Sequence, residues 1–224
     1  MPLLRSLQVW NDPVARSAAV NMAVDELLLR QLGSVPLIRF YQWSEPSMSF
    51  GYFDTFDSAR EKFPCDELSV VRRWTGGGVV DHRVDVTYTL LLPRGHEWAQ
   101  LRGAGSYRIV HAAVAEMLQD QGIRAKLIET DSEGSSVACF ERPVMYDVVD
   151  EKGSKLAGAG QRRTRWGVLH QGSVQAVDYD SAWKDDLAGR LSEELEHVDM
   201  PDMDQKELDE LAAKYASDKW LFKR

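Results

Sequence analysis

Two side chains of this 224-residue chain have the chemistry to hold and transfer an acyl group. Cys139 lies among small and polar residues, and Lys155 follows it by sixteen positions, just ahead of Gly158, Ala159 and Gln161. A thiolate exchanges readily with a thioester because the attacking and leaving thiols have similar pKa values. The lysine ammonium could polarise a carbonyl, Gly158 admits a ligand close to the backbone, and Gln161 can donate to a carbonyl. From the residues alone, Cys139 could equally be an inert buried thiol and Lys155 a solvated lysine without a functional role.

A glycine-rich segment is the strongest single motif. Its candidate ligand-binding residues are Arg72, Arg73, Thr75, Gly76, Gly77 and Gly78. Consecutive glycines let the backbone approach a ligand and adopt positive φ, and paired arginines suit carboxylate or phosphate. A surface turn with solvated arginines is the alternative, but the flanking strands favour function. His82 follows four residues after Gly78, and Asp85 would either orient it or cap the next strand.

Composition narrows the classes of function. The net charge of −8 disfavours nucleic acid as the main partner. No apolar run is long enough to span a membrane, and the amino-terminal residues lack a secretion signal. The two cysteines, Cys65 and Cys139, do not form a disulfide framework. We therefore expect a soluble, reduced, cytoplasmic protein, in which residues 72–73 and 162–165 are basic patches that could dock an acidic partner.

Periodicity predicts mixed helices and strands joined mainly by short turns. Helices are predicted at about 16–32, 54–62, 109–121, 180–191 and 204–217. Strands are predicted at 37–41, 47–52, 68–72, 86–92, 124–128, 145–149, 155–157 and 167–177. This order favours an α+β fold, with a mixed, largely antiparallel sheet and flanking helices. We expect one domain over 1–224, with 180–224 a helical carboxyl-terminal part in which 192–204 is a linker.

These motifs together resemble the lipoate–protein ligase, octanoyltransferase and biotin–protein ligase superfamily over about residues 15–180. The segment from Arg72 to His82 resembles its Arg-Arg-x-Ser/Thr-Gly-Gly-Gly loop and histidine. Residues 36–43 with 51–52 resemble its opening strands, and 155–161 with 169–173 its lysine loop and following strand. The resemblance implies the catalytic-domain fold of a lipoate–protein ligase.

The cysteine-dependent octanoyltransferase branch is the most similar, because residues 87–89 and 136–140 resemble its segments. The resemblance implies that Cys139 takes an octanoyl or lipoyl group from acyl carrier protein. The group then passes to a lysine of a lipoyl domain or of the glycine-cleavage H protein. Lys155 would position the carbonyl, and the glycine loop with His82 would shape the acyl pocket. No cofactor or metal is implied.

Three alternatives stay open. An ATP- and Mg-dependent lipoate–protein ligase would share these loops but has no need of Cys139, and such ligases commonly carry a further carboxyl-terminal domain. A degenerate, non-catalytic binder of lipoyl domains is kept open by Arg83, which replaces the acidic residue usual in the family after the histidine. An amidotransfer between two lipoyl proteins would use the same thiol.

Overall fold

The computed structural model describes residues 3–63, 66–101, 104–129, 144–175 and 182–223. Its strands are β1 (Leu4–Asn11), β2 (Leu37–Tyr41), β3 (Ser47–Phe50), β4 (Ser69–Arg72), β5 (Val80–Asp81), β6 (Val86–Pro93), β7 (Lys126–Leu127), β8 (Val148–Val149), β9 (Lys155–Arg163), β10 (Gly167–Val174) and β11 (Ser192–His197). Its helices are α1 (Ala18–Gln31), α2 (Phe56–Lys62), α3 (Glu97–Gln100), α4 (Gly105–Asp120), α5 (Ala182–Leu191), α6 (Gln205–Ala216) and α7 (Asp218–Leu221).

The strands form two sheets. The larger has the order β11-β1-β2-β6-β10-β9-β8-β7, and the smaller has the order β4-β3-β5. In the larger sheet β1 runs parallel to β11 and β2, whereas every pair from β2 to β7 is antiparallel. The predicted α+β fold, with a mixed, largely antiparallel sheet and flanking helices, is confirmed.

Helices cover both faces of the larger sheet because its central strands are apolar on both sides. In β6 the side chains of Leu90 and Leu92 join the core under α4 and α5. Leu91 points the other way, into the core under α1 and α6. This is the alternation of a strand, in which successive side chains leave opposite faces. Two helical layers therefore hold β6 and its neighbours rigidly in the middle of the molecule.

The interpretation of 192–204 as a linker is wrong for its first half, because Ser192–His197 forms the edge strand β11. Its partner is β1, in a register that runs from Leu4 opposite Ser192 to Val9 opposite His197. The strand is rich in glutamate and mostly exposed, which suits an edge, since charge there discourages pairing with another chain. β1 is not predicted either, because its apolar side chains do not alternate strictly along the strand.

Candidate active site

A cavity of about 670 Å³ opens where the two sheets meet. Its wall combines β3 and β5 of the smaller sheet with β6, β9 and β10 of the larger one, and the turn 152–155 lies at one side. Ligand sites in proteins usually occupy roughly 300–1,000 Å³, so this volume is that of a small-molecule site. The predicted site residues that line it are Arg73, Gly77, Gly78, His82, Lys155, Gly158 and Ala159.

The glycine loop forms part of the wall by wedging between two strands. A Cβ at Gly51, directly after β3, would clash with the backbone of Gly77 and Gly76, and one at Gly160 would clash with Thr75 and the Gly76 carbonyl. Gly77 adopts a φ of 98°, a conformation that favours glycine. The loop backbone therefore packs closer to Gly51 and Gly160 than side chains at these two positions would allow.

Arg73 supports this loop from inside. The side chain is buried, and its guanidinium donates to Ser49 Oγ at 2.7 Å and to the carbonyls of Gly78 at 2.8 Å and Gly76 at 3.3 Å. Burial lowers the pKa of Arg73 to about 10. Its charge is therefore used to hold backbone and hydroxyl oxygens around the loop.

Arg72 points away from the cavity, toward the end of the chain. Its guanidinium donates to the carbonyls of Trp220 at 2.9 Å and Lys223 at 2.7 Å, and to that of Tyr52 at 2.9 Å. Burial lowers its pKa. Because Arg72 and Arg73 are only 1% and 5% exposed, the prediction that residues 72–73 form a basic docking patch is wrong.

Thr75 connects the loop to the core of the fold. Its hydroxyl donates to Gln171 Oε1 at 2.8 Å, and Gln171 Nε2 donates to Asp25 Oδ2 at 2.8 Å. Asp25 is fully buried on α1, where Arg39 Nη1 lies 2.7 Å from its Oδ1. The loop is thus tied to a buried ion pair, which fixes Thr75 behind the cavity wall.

His82 is held on both ring nitrogens. Nε2 lies 2.6 Å from Ser49 Oγ, and Nδ1 lies 2.9 Å from Asp85 Oδ2. Because the Asp85 carboxylate can only accept, Nδ1 of His82 carries a proton and donates to it, and Nε2 faces the Ser49 hydroxyl. The ring also stacks on Trp43 with 3.9 Å between centroids. Asp85 therefore orients His82, as one of the two sequence-based interpretations expects.

Arg83, the departure that kept a degenerate binder open, turns outward. Its guanidinium pairs with Asp81, with Nη2 2.8 Å from Oδ2, and its side chain is 44% exposed. This pairing helps to lower the pKa of Asp81, although burial opposes it. The acidic partner of His82 is Asp85, so the reversed charge at Arg83 does not meet the histidine's nitrogens.

Lys155 lies at the cavity wall and is held by Asp147, a residue that sequence reasoning missed. Nζ of Lys155 is 2.8 Å from Oδ2 of Asp147, whose side chain is fully buried. Tyr107 donates to the other carboxylate oxygen at 2.5 Å, and the Val144 N–H donates to Oδ2 at 2.9 Å. Burial, with the adjacent Asp147 charge, raises the pKa of Tyr107 well above its ordinary value. Lys155 is therefore fixed by a carboxylate that is itself fixed by two donors.

The residues after Lys155 divide between the cavity and the core. The Lys155 side chain crosses directly over Gly158, where a Cβ would clash with it. The Ala159 N–H donates to the Tyr107 oxygen at 3.1 Å. Gln161 points to the core instead, where its amide contacts His170 Nδ1 at 2.8 Å. Gln161 therefore links β9 to β10 and is not among the described residues that line the cavity.

Cys139 and Cys65 lie outside the described residues. Within the described ranges no group of three or more His, Cys, Asp or Glu side chains could hold a metal ion. None of the helices in these ranges has the length and apolar character needed to cross a membrane.

The chain matches the lipoyl protein ligase A/B catalytic domain over residues 17–211. It is 36% identical over 177 residues to octanoyltransferase LipM of Oceanobacillus iheyensis, which covers 76% of this chain and 64% of the relative. It is 33% identical over 204 residues to octanoyltransferase LipM of Halalkalibacterium halodurans, which covers 84% of this chain and 73% of the relative. The chain thus spans just under two thirds of the Oceanobacillus protein's length.

Among solved structures, lipoate-protein ligase A bound with ATP superposes with a TM-score of 0.72 over 99% of each chain, at 18% identity. That likeness shows the fold alone, which is the catalytic fold of a lipoate–protein ligase. With the match over residues 17–211, the chain belongs to the lipoyl protein ligase A/B catalytic domain family. The resemblance drawn from its motifs is confirmed, including the similarity to octanoyltransferases.

Proposed function

We propose that this protein transfers an octanoyl, or lipoyl, group from acyl carrier protein to a lysine of a lipoyl domain or of the glycine-cleavage H protein. One observation carries the proposal. Lys155 is held by the buried Asp147 at the wall of a cavity with the volume of a small-ligand site. The 36% and 33% identity to proteins named octanoyltransferase supports this reaction over others of the family.

In the first step the Cys139 thiolate attacks the thioester carbonyl carbon of the donor. The bond from this carbon to the carrier's sulfur breaks, and the departing thiolate takes up a proton. In the second step the neutral amine of the acceptor lysine attacks the Cys139 thioester. An amide forms, the amine loses a proton, and the Cys139 thiolate is released for the next cycle.

Lys155 contributes charge at the carbonyl that is under attack in both steps. Its ammonium favours the oxyanion of each tetrahedral intermediate, and fixing it in advance avoids reorganisation during the reaction. Asp147 acts as a positioning residue, because it holds Lys155 Nζ at 2.8 Å. The acyl chain would lie along Leu156 and Val79, which are apolar residues of the cavity wall.

Intact-mass spectrometry after mixing with octanoyl-acyl carrier protein tests the proposal. The protein should gain one octanoyl group, and hydroxylamine should remove it. Cys139→Ala should abolish the gain, whereas Cys65→Ala, the matched control at the chain's other cysteine, should retain it. An adduct that persists in Cys139→Ala would refute the assigned nucleophile.

The same mixture separates the rival reactions. Absence of an adduct together with ATP-dependent lipoylation of an acceptor would establish a ligase. Absence of an adduct and of any lipoylation, with retained binding of lipoyl domains, would establish a non-catalytic binder. A thioester that forms on the protein only from a donor whose lysine carries the lipoyl or octanoyl group as an amide, and not from octanoyl-acyl carrier protein, would establish the amidotransfer reaction.

A further inference from the structure

One outer surface of the glycine loop gathers aromatic rings and cations around Tyr52. We call it the Tyr52 face, and its members are Tyr52, Phe53, Trp74, Arg162, Trp220 and Lys223. The Tyr52 ring lies 5.3 Å from that of Phe53 and 5.8 Å from that of Trp220. The Arg162 guanidinium lies 4.6 Å from the Tyr52 centroid, and the Lys223 ammonium 4.2 Å from it. These contacts make Tyr52 the hub of the surface.

Phe53 stands out from this hub. The residue is 86% exposed, and it is the most exposed large apolar residue among the described ranges. Exposed aromatic rings beside cations are typical of the residues that anchor protein interfaces. The face therefore combines an exposed apolar contact at Phe53 with two cations on the adjoining ring of Tyr52.

The two cations of the face, Arg162 and Lys223, contact aromatic rings and uncharged oxygen atoms and do not contact carboxylates among the described residues. Arg162 donates to the Trp74 carbonyl at 3.0 Å and also lies 4.7 Å from the Trp74 ring centroid. Lys223 hydrogen-bonds the Tyr52 hydroxyl, which lowers the pKa of Tyr52. Neither cation forms a salt bridge with a carboxylate among the described residues. By contrast, the nearby Lys214 is neutralised by Glu26 at 2.6 Å.

Cations arranged in this way are ready for an anionic partner. Contact with the ring faces favours and orients them, so less conformational entropy is lost when a partner binds. The whole chain has a net charge of −8, which repels an acidic protein at long range. Attraction of an acidic partner is thus confined to local positive surfaces such as this one.

The Tyr52 face and the cavity share the glycine loop. A Cβ at Gly76 would contact the Phe53 ring at 3.8 Å, on the outer side. Gly77 and Gly78, the next residues, line the cavity. A domain seated on the face is therefore separated from the cavity only by this loop.

We propose that the Tyr52 face docks the acyl donor, a small acidic carrier domain with the acyl group on a phosphopantetheine arm. The proposal rests on the proposed function. The donor matches the face in two ways, because its surface carboxylates and the phosphodiester of its arm both suit Arg162 and Lys223. An acceptor domain that presents an unmodified lysine carries no phosphate.

The test compares two octanoyl donors in variants of the face. Octanoyl-acyl carrier protein requires docking, whereas S-octanoyl-N-acetylcysteamine provides the same thioester without protein or phosphate. In Arg162→Glu and Lys223→Glu, the KM for the carrier donor should rise roughly fivefold to tenfold, since exposed pairs contribute up to about 1 kcal/mol and reversal adds repulsion. In Lys223→Glu, whose side chain does not hold the glycine loop, the kcat and the turnover of the small donor should change by less than about twofold.

Arg5→Glu is the matched control. Arg5 is exposed on β1, away from the strands of the cavity wall, and its reversal changes the net charge by the same amount. It should leave both donors unaffected. Phe53→Ser, at an exposed position that cannot unfold the core, should raise the KM for the carrier donor without any change of charge. Equal effects of Arg5→Glu and the face variants would overturn the proposal.

Binding, measured separately, keeps this proposal distinct from the transferase reaction. Fluorescence anisotropy with labelled holo-acyl carrier protein should give a Kd that rises with salt and with Arg162→Glu and Lys223→Glu. If no thioester forms from either donor, the transferase reaction fails, and this binding experiment still decides the docking site. Absence of binding by the unmodified protein would refute the site, as would a KM effect confined to the acceptor domain.

Discussion

Replacement of Gly51 by alanine should displace the glycine loop from the cavity wall. The added Cβ would lie 2.9 Å from the Gly77 carbonyl carbon and 3.0 Å from that of Gly76, and closer still to the Gly77 oxygen. Carbon atoms pack best at about 3.5–4.0 Å, and the nearer Gly77 oxygen must move furthest, so one backbone must retreat by more than about 1 Å. The obstacle is backbone, which cannot rotate away as a side chain could.

Hydrogen bonds on both sides of Gly51 oppose this retreat. The Arg73 N–H donates to the Phe50 carbonyl, and the Tyr52 N–H donates to the Thr75 carbonyl, each at 2.8 Å. Overpacking of this kind costs about 1–3 kcal/mol of unfolding free energy. A loop misplaced by about 1 Å beside the reacting carbonyl should slow thioester formation by on the order of a hundredfold.

Urea unfolding and single-turnover mass spectrometry measure the two effects. Gly95→Ala is the control, because no atom beyond its own chain neighbours lies within 4 Å of the added Cβ. Its unfolding free energy should change by less than about 0.5 kcal/mol. A Gly51→Ala protein with the stability and thioester rate of the unmodified protein would show that the loop is not wedged against β3.

Three further predictions concern buried titratable groups. Asp147→Asn should lower the kcat of octanoyl transfer by roughly tenfold or more in steady-state assays, with little change of KM, because Lys155 loses the charge that positions it. An unchanged kcat would refute that role. Asp25→Asn should lower the unfolding free energy in urea by about 3 kcal/mol, the lower part of the range for a broken buried pair, since Arg39 keeps a second carboxylate; a loss below about 1 kcal/mol would contradict it. Burial lowers the pKa of His111 from 6.5 to about 4, so the unfolded chain takes up the proton first. About 3 kcal/mol of stability should be lost as pH falls from about 6.5 to about 4, and His111→Asn should flatten this dependence; an equally steep variant would exclude His111 as its source.

The fold could be predicted well where local pattern and packing agree. β6 is apolar on both faces, and α4 repeats its apolar side chains at helical spacing, so the sequence pattern predicts both elements to within a few residues. The sequence does not predict β11, because its partner β1 lies 188 residues away at the Leu4–Ser192 pairing. A glutamate-rich segment carries no local sign that such a partner exists.

The sequence predicts most of the residues that form the candidate site, but it does not predict what each of them contacts. The glycine loop, His82 and Lys155 do meet at one cavity. Arg72, however, is used by carbonyls about 150 residues further along the chain, which no local motif reveals. Asp147 could have been sought from the predicted hairpin, where it directly precedes the strand that pairs beside Lys155. Its hydrogen bond to Tyr107 depends on how α4 packs against the sheet, which the local sequence does not reveal.

The pairing of β1 with β11 also has a consequence for the order of events on the ribosome. β1 emerges first, but the strand that covers its outer edge begins at Ser192. At about 5–20 residues per second, synthesis of the intervening chain takes roughly 10–40 seconds. Throughout that interval the nascent chain has an open strand edge, a template for association with other nascent chains. Slow translation between these two strands should therefore lower the yield of native protein, even though the finished molecule closes that edge with a strand of glutamates.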